Sequence, residues 1–135
     1  MGTWGTGVFE NDAALDFSSA LGEIGSVSEI ADFLSYFLSG SGEYIEIEDG
    51  QEAIVAADFV ARLISGKAHN EPSPGDAEGW VSSNADGATA DVVKDATLAL
   101  ERCMVDKSEL LELWHESPMF AEWIGVLEDI RMRLT

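Results

Sequence analysis

Apolar residues recur every three or four positions along most of the chain, which is the spacing of amphipathic helices. The clearest stripe begins with a capping box at Ser26 and ends at Gly40. An earlier helix is predicted from about residue 12 to 23, with Asn11 or Asp12 as its N-cap. The pattern therefore predicts two capped helices within the first forty residues.

The next helix, over residues 52–65, is apolar around most of its circumference. Such a helix lies at the centre of a bundle or at a dimer interface, so the oligomeric state stays open. Within it Asp58 and Arg62 are four residues apart and are expected to pair. Residues 44–48 alternate like a strand, but no second strand candidate exists, and we predict a loop there. Residues 66–76, which contain two prolines, are also predicted to be a loop.

The remaining chain predicts more short helices. Trp80 and Val81 indicate a short helix or an anchoring turn, and residues 89–104 again follow helical spacing. Residues 108–114 look like a short capped helix. The last helix is predicted to start with Ser117 as N-cap and the following proline as first helical residue, and to carry apolar positions to the end.

Length and composition agree with one folded domain. The chain has 135 residues, of which 46% are hydrophobic, enough for a core without disulfides or a structural metal. The single cysteine, Cys103, has no partner for an internal disulfide. No secretory signal or membrane-spanning stretch is recognisable, so we expect a cytoplasmic protein. We predict one all-α domain over residues 1–135, a bundle of five or six helices with an irregular N-terminal segment rich in glycine and tryptophan.

Charge narrows the choice of partners. The chain carries 26 Asp and Glu against 7 Lys and Arg, a formal net charge of -19. No Lys or Arg precedes Arg62, whereas twelve acidic residues lie from Glu10 to Asp58. Nucleic acids and anionic membranes are bound through basic residues, so neither is expected as a partner. The charge fits a surface that attracts a basic protein, and equally one that only keeps the protein soluble.

Motifs for catalysis are missing from the sequence. The N-terminal glycines match neither a dinucleotide fingerprint nor a phosphate loop, and no zinc or nucleophile motif is present. We therefore predict no catalytic residue, no cofactor and no metal. An alternative stays open, in which carboxylates that converge in the fold serve a metal- or small-ligand-dependent enzyme. The candidate ligands would be Glu10, Asp12 and Asp16, or Glu46, Glu48 and Glu52.

The beginning of the chain reads MGTWGTGVFENDAALDF. It resembles a bacterial family catalogued as domain of unknown function 4259, whose members open with M-G-x-W-G-x-G-x-F-[ED]-N-D. An alanine-rich middle helix at 53–63 and a Ser-Glu-Leu to Trp-x-Glu-Ser pattern at 108–117 extend the similarity, although members often carry Glu in place of Asp58. The resemblance implies a small helical bacterial protein and brings no reaction, cofactor or catalytic residue with it.

We call residues 1–12 the N-terminal motif. Its glycines permit a bend, its aromatic residues can pin that bend on the core, and its end can cap a helix, so a purely structural role is sufficient. If the motif is instead a binding site, its candidate residues are those that carry the resemblance: Trp4, Gly5, Gly7, Phe9, Glu10, Asn11, Asp12 and Asp16.

The sequence thus favours a non-enzymatic module that binds a basic partner over an enzyme. Neutralising a basic toxin or nuclease, as an immunity protein does, and mimicking the charge of a nucleic acid are two forms that such a role can take. Attraction between opposite charges weakens as salt increases, so a complex of this kind should be sensitive to ionic strength.

Overall fold

Helices account for most of the described chain. The computed structural model describes residues 3, 5–24, 26–40, 42–65, 80–82, 84 and 87–135. Its helices of seven residues or more are α1 (Asp12–Ile24), α2 (Val27–Ser39), α3 (Ile47–Ser65), α4 (Ala90–Cys103), α5 (Glu109–His115) and α6 (Phe120–Arg133). A helical turn at 80–82 brings the described residues to seven helical segments without a strand. The all-α class is confirmed, while the predicted count of five or six is too low.

Polar side chains cap the starts of four helices. The Oδ1 atom of Asn11 accepts a hydrogen bond from the backbone N–H of Ala14 at 2.7 Å, so Asn11 rather than Asp12 is the N-cap of α1. Helices α2, α4 and α5 begin in the same manner, with side-chain hydroxyls that accept from the first turn: those of Ser26, Thr89 and Ser108. The predicted starts of these helices agree with the structure.

Helix α6 begins two residues later than predicted. The hydroxyl of Ser117 accepts from the N–H of Met119 at 3.0 Å, and its carbonyl accepts from Phe120 at 3.2 Å. These bonds close a turn that contains Pro118, and α6 follows with Met119 as its N-cap and no side-chain cap. The prediction of Ser117 as N-cap is wrong because its hydroxyl serves the turn instead of the helix.

Helix α3 is the central element of the core. All residues from 53 to 62 are buried, and α3 packs against each of the other five helices. Burial within one chain thus accounts for its apolar circumference. Fully buried side chains from other elements surround it, among them Leu34, Trp80, Leu100 and Leu127.

Helix α3 also starts five residues earlier than predicted. Its first N–H, on Ile47, is capped from another part of the chain by the Oε1 atom of Glu109 at 2.8 Å. Gly50 lies inside the helix. A glycine fits there because Leu110 packs over it, and a Cβ atom would lie 2.8 Å from the Cδ1 atom of Leu110. Just before the helix, Ile45 forms an isolated parallel bridge with Ser108. The predicted loop at 44–48 is therefore correct only up to its third residue.

Buried charges join α3 to α6. The two oxygens of Asp58, which is fully buried, each contact an arginine at 2.6 Å, namely Arg62 within α3 and Arg133 at the end of α6. Arg133 also contacts Asp129 at 3.1 Å. The predicted pair of Asp58 and Arg62 is confirmed, and Arg133 extends it into a cluster between two helices.

Of two further predictions, one is confirmed and the other concerns residues outside the described part of the chain. Trp80 is buried and packs on Phe59 with ring centroids 5.2 Å apart, which confirms the anchoring role expected of that turn. The loop predicted over residues 66–76 lies outside the described residues.

Candidate functional site

The N-terminal motif folds into a loop whose polar groups bond to one another. Glu10 lies at the surface, but its carboxylate turns back and accepts from the N–H of Gly7 at 3.0 Å. A Cβ atom on Gly5 would lie within 2.5 Å of the same carboxylate, so a glycine leaves room for it. Buried Asn11 caps α1 and also donates to the carbonyl of Val8 at 3.4 Å. Each of these contacts gives a structural reason for the residue in the motif.

Phe9 connects the motif to the buried charge cluster. Its ring is buried, lies 6.4 Å from the ring of Phe59 and stands 5.4 Å from the guanidinium carbon of Arg62. The guanidinium thus contacts Asp58 through its Nε atom and the face of an aromatic ring at the same time. This arrangement anchors the motif on α3.

The space beneath the motif is too small for a ligand. The cavity there holds about 20 Å³, close to the volume that one water molecule requires. Its polar lining is already bonded: Thr6 donates to Glu122 at 2.6 Å, and Gln51 donates to Thr3 at 3.1 Å. The described residues of the motif therefore offer neither an open cavity nor unbonded polar side chains along it.

The other candidate residues of this region lie apart from that cavity. Asp12 and Asp16 are exposed on α1, and Trp4 lies outside the described residues. Across the ranges that the structure describes, no three His, Cys, Asp or Glu side chains converge to hold a metal ion. Neither carboxylate set proposed for the enzyme alternative is assembled there: Glu10, Asp12 and Asp16, or Glu46, Glu48 and Glu52.

A second and much larger cavity opens at the C-terminal end of α2. It measures about 290 Å³, close to the lower bound of cavities that hold small ligands. We call it the groove. It is lined by Phe33, Tyr36, Phe37, Ser39, Gly40, Glu43, Tyr44, Ile45 and Asp49.

The walls of the groove are mainly aromatic. Phe33 rests between Phe17 and Phe37, with ring centroids 4.8 and 6.3 Å away, so this wall continues into the core. Tyr36 differs from both, because 80% of its surface is exposed. A large aromatic side chain left in solvent beside a cavity is a feature of protein-binding surfaces.

The charges of the groove all have one sign. Glu43 and Asp49 are exposed and line it, and the lining contains no Lys, Arg or His. Just beyond the lining, partial burial raises the pKa of Glu52 above its ordinary value, and the neighbouring charges of Asp49 and Glu48 raise it further. This mutual repulsion shows that the start of α3 is a region of negative potential.

Residues 42–45, on the far side of the groove, are held by hydrogen bonds with α4, α5 and the segment between these two helices. Tyr44 donates its hydroxyl to Glu112 at 2.9 Å, and this hydrogen bond raises the pKa of Tyr44 to about 12, so the phenol stays neutral. The carbonyls of Gly42 and Glu43 accept from Lys107 at 3.3 Å and from Arg102 at 2.6 Å. These bonds attach residues 42–45 to α4, α5 and the segment between them.

Lys107 adopts an unusual backbone conformation to make this junction. Its φ of 68° lies in the left-handed region, where residues other than glycine are uncommon. Its carbonyl accepts from the N–H of Ile45 at 2.7 Å and from Arg102 at 3.2 Å. The strained residue thus lies where two distant parts of the chain are joined.

Reasoning from the sequence did not identify the groove. One signal was present in the sequence of α2. Its apolar stripe runs through Ile30, Leu34 and Phe37. Tyr36 lies outside this stripe, three residues after Phe33 and seven residues after Glu29. Because Glu29 lies two turns before Tyr36 and is charged, Tyr36 is on the polar side of α2, where a large aromatic residue is unexpected. The cavity itself depends on contacts with residues after 101, which periodicity along α2 does not reveal.

Comparisons with known proteins give one match. The model of the family described as Domain of unknown function (DUF4259) matches residues 2–125. No curated protein and no solved structure matches the chain significantly. No helix among the described residues is long and apolar enough to cross a membrane.

Proposed function

The chain belongs to the family Domain of unknown function (DUF4259), and on that premise we propose that it is a non-enzymatic binding domain that takes a basic segment of another protein into the groove. The family description names no activity, so the proposal rests on the site. Neutralising a basic toxin or nuclease, or mimicking a nucleic acid toward such a protein, are the two roles that this binding fits. The domain is expected to act in the cytoplasm.

The carrying observation is the composition of the groove. An open cavity of about 290 Å³ combines aromatic walls with two carboxylates and no basic side chain. Aromatic faces and carboxylates both attract cations, whereas an anionic ligand would be repelled. Lysine and arginine side chains have an apolar stem and a cationic end, and the two properties match the wall and the rim.

The surrounding charge supports the same class of partner. The first 61 residues contain no Lys or Arg, and Arg62 is buried against Asp58. The surface of this half of the chain is therefore predominantly acidic, with Arg102 and Lys107 contacting it at the carbonyls of Glu43 and Gly42. Such a field raises the association rate of a basic protein and loses strength as salt screens it.

The enzyme alternative lacks comparable support. Its carboxylate sets do not meet as a metal site within the described ranges, and Cys103, the single thiol, is buried with its pKa raised by that burial to about 12. A thiol in that state is a poor nucleophile.

The proposal can be tested with a labelled octapeptide of alternating glycine and basic residues, and with a glutamate version of the same peptide. Fluorescence anisotropy should show binding of the basic peptide alone, weakening between about 50 and 300 mM salt. The double variant Tyr36→Ala/Asp49→Asn should bind roughly tenfold more weakly.

The matched control is Met132→Ala/Asp91→Asn. It also removes one exposed large side chain and one helix-start carboxylate, at positions that do not line the groove. Equal weakening in both double variants would show that only net charge matters, and would contradict the groove as the binding site. Absence of binding at low salt would contradict the function.

A further inference from the structure

The groove lies at the C-terminal end of α2. Phe37, Ser39 and Gly40 line it, and the last turn of α2 contains no basic residue. The last carbonyls of a helix carry partial negative charge and need donors from outside the helix. Lysine or arginine side chains often supply them. At the end of α2 the carbonyls of Tyr36, Phe37 and Leu38 already accept hydrogen bonds from Ser39 and Gly40. What remains is the partial negative charge of the helix end, which stabilises a cation placed beside it.

Glu43 increases this negative charge. Its Oε2 atom lies 3.6 Å from the position that a Cβ atom on Gly40 would take, beside the end of the helix. A carboxylate in that place is repelled by the helix dipole. The carboxylates of Glu43 and Asp49 make no hydrogen bond or ion pair with the residues that the structure describes. Two carboxylates and one helix end thus face the same cavity, while the basic side chains of Arg102 and Lys107 bond to the backbone carbonyls of Glu43 and Gly42 rather than to these carboxylates.

Tyr36 adds a flat apolar surface to this site. Its ring is largely exposed and it lines the cavity one turn before the end of α2. The backbone carbonyl of Tyr36 already accepts from the hydroxyl of Ser39 at 2.6 Å, so the ring itself is what the residue offers to a ligand. The phenol of Tyr44 is engaged with Glu112 and leaves Tyr36 as the available aromatic side chain on the rim.

On the basis of the function proposed above, we infer that the groove binds one arginine side chain of the basic partner. The guanidinium lies against the ring of Tyr36 and donates to the carboxylates of Glu43 and Asp49, beside the negative end of the α2 dipole. The methylene stem lies along the apolar wall at Phe33.

Arginine fits this arrangement better than lysine for three reasons. Its planar group stacks on an aromatic face, its five donors can serve two carboxylates together, and it is more weakly hydrated than an ammonium group. A cavity of about 290 Å³ corresponds to roughly ten water molecules. That is room for one long side chain with its adjoining backbone.

The test uses four labelled peptides that differ at one central position among glycines and serines: arginine, lysine, citrulline and trimethyllysine. Citrulline has the shape of arginine without its charge. We expect the arginine peptide to bind about fivefold more tightly than the lysine peptide and at least tenfold more tightly than the citrulline peptide. Trimethyllysine cannot donate hydrogen bonds and should bind no better than lysine.

Variants of the protein test where the arginine side chain of the peptide binds. Tyr36→Phe keeps the ring and should retain arginine binding, whereas Tyr36→Ala should reduce the preference for arginine over lysine. Asp49→Asn should weaken the arginine peptide severalfold, and Asp91→Asn, which removes a carboxylate from the first turn of α4, should not. Circular dichroism verifies that each variant is folded.

The outcomes separate this inference from the proposed function. Equal binding of arginine and lysine peptides, with citrulline weak, would overturn the arginine site and leave a general basic partner in place. Tightest binding of trimethyllysine would overturn it in favour of a quaternary ammonium ligand. An unchanged preference in Tyr36→Ala would overturn the location. If none of the charged peptides binds, both proposals fail together.

Discussion

The N-terminal motif and the groove differ in how their polar and aromatic groups are used. In the motif, Glu10 and Asn11 bond within the loop, and the space below holds about 20 Å³. In the groove, the carboxylates of Glu43 and Asp49 face a cavity of about 290 Å³, and Tyr36 is mostly in solvent. The described part of the first region is closed by its own contacts, and the second exposes two carboxylates and an aromatic ring to solvent.

This difference teaches that an unusual run of residues need not mark a binding site. The motif is distinctive because a tight loop needs glycines, a cap and an aromatic anchor in a set order. The groove is built from ordinary residues at the end of α2, at the start of α3 and between the two helices. The residues available for binding are found by asking which polar and aromatic groups remain unused after folding, and this requires the fold.

The largest loss of stability is expected from Asp58→Asn, which breaks the buried charge cluster against which the N-terminal motif packs. Asparagine keeps the shape but leaves Arg62 and Arg133 without their shared carboxylate, and breaking a buried pair costs about 3–5 kcal/mol. Urea denaturation should show this loss in the free energy of unfolding. Asp49→Asn makes the same charge change on the same helix at an exposed position and should cost little. Similar losses in both variants would contradict the role of the cluster.

A smaller effect is expected from Asn11→Ala. It removes the N-cap of α1 and the bond to the carbonyl of Val8, and the loss of a cap costs roughly 1–2 kcal/mol. Asn11→Asp keeps the accepting oxygen and should lose less. Binding of the basic peptide should stay the same in both, because the motif does not line the groove. A loss of binding in these folded variants would instead return the motif to the candidate sites.

Glu52→Gln should stabilise the protein slightly, and only above a certain pH. Because burial and the charges of Asp49 and Glu48 raise its folded pKa, the stability linked to its proton is present below the ordinary value and is lost as pH rises through the raised one. Glutamine removes that loss, so thermal unfolding should show a gain of a few tenths of a kcal/mol near neutral pH and none below about pH 4.

The control for this variant is Glu116→Gln, which removes an equal charge from an exposed position. It corrects for the general benefit of lowering a net charge of -19. An equal gain in the control, or a gain that persists at low pH, would show that the local environment of Glu52 has no effect.

The smallest change in stability is expected from Tyr36→Ala. With 80% of the side chain exposed, its removal should alter the free energy of unfolding by less than about 0.5 kcal/mol. The variant should nevertheless bind the arginine peptide more weakly and prefer it less over the lysine peptide. A large loss of stability would mean that Tyr36 is used within the fold, and the contrast between the two regions would disappear.

Periodicity and capping predicted most helices, since both are local. Ser26, Thr89 and Ser108 are recognisable as caps because each bonds within its own first turn. The start of α3 was mispredicted because its cap comes from Glu109 and because Gly50, which permits the approach of Leu110, lies inside the helix. The candidate site could not be predicted for the same reason, as its walls meet only through distant contacts.

The cap on α3 also has a consequence for the order of folding. Glu109 bonds to Ile47 across 62 positions of the chain, and Ile45 pairs with Ser108 in the same place. Closing such a long loop is slow compared with forming a local helix. A nascent chain that has emerged only through α3 lacks these partners, and so the groove is completed after α5 has been synthesised. A partner would therefore meet the binding surface only on finished molecules, and a peptide of residues 26–65 would not reproduce it.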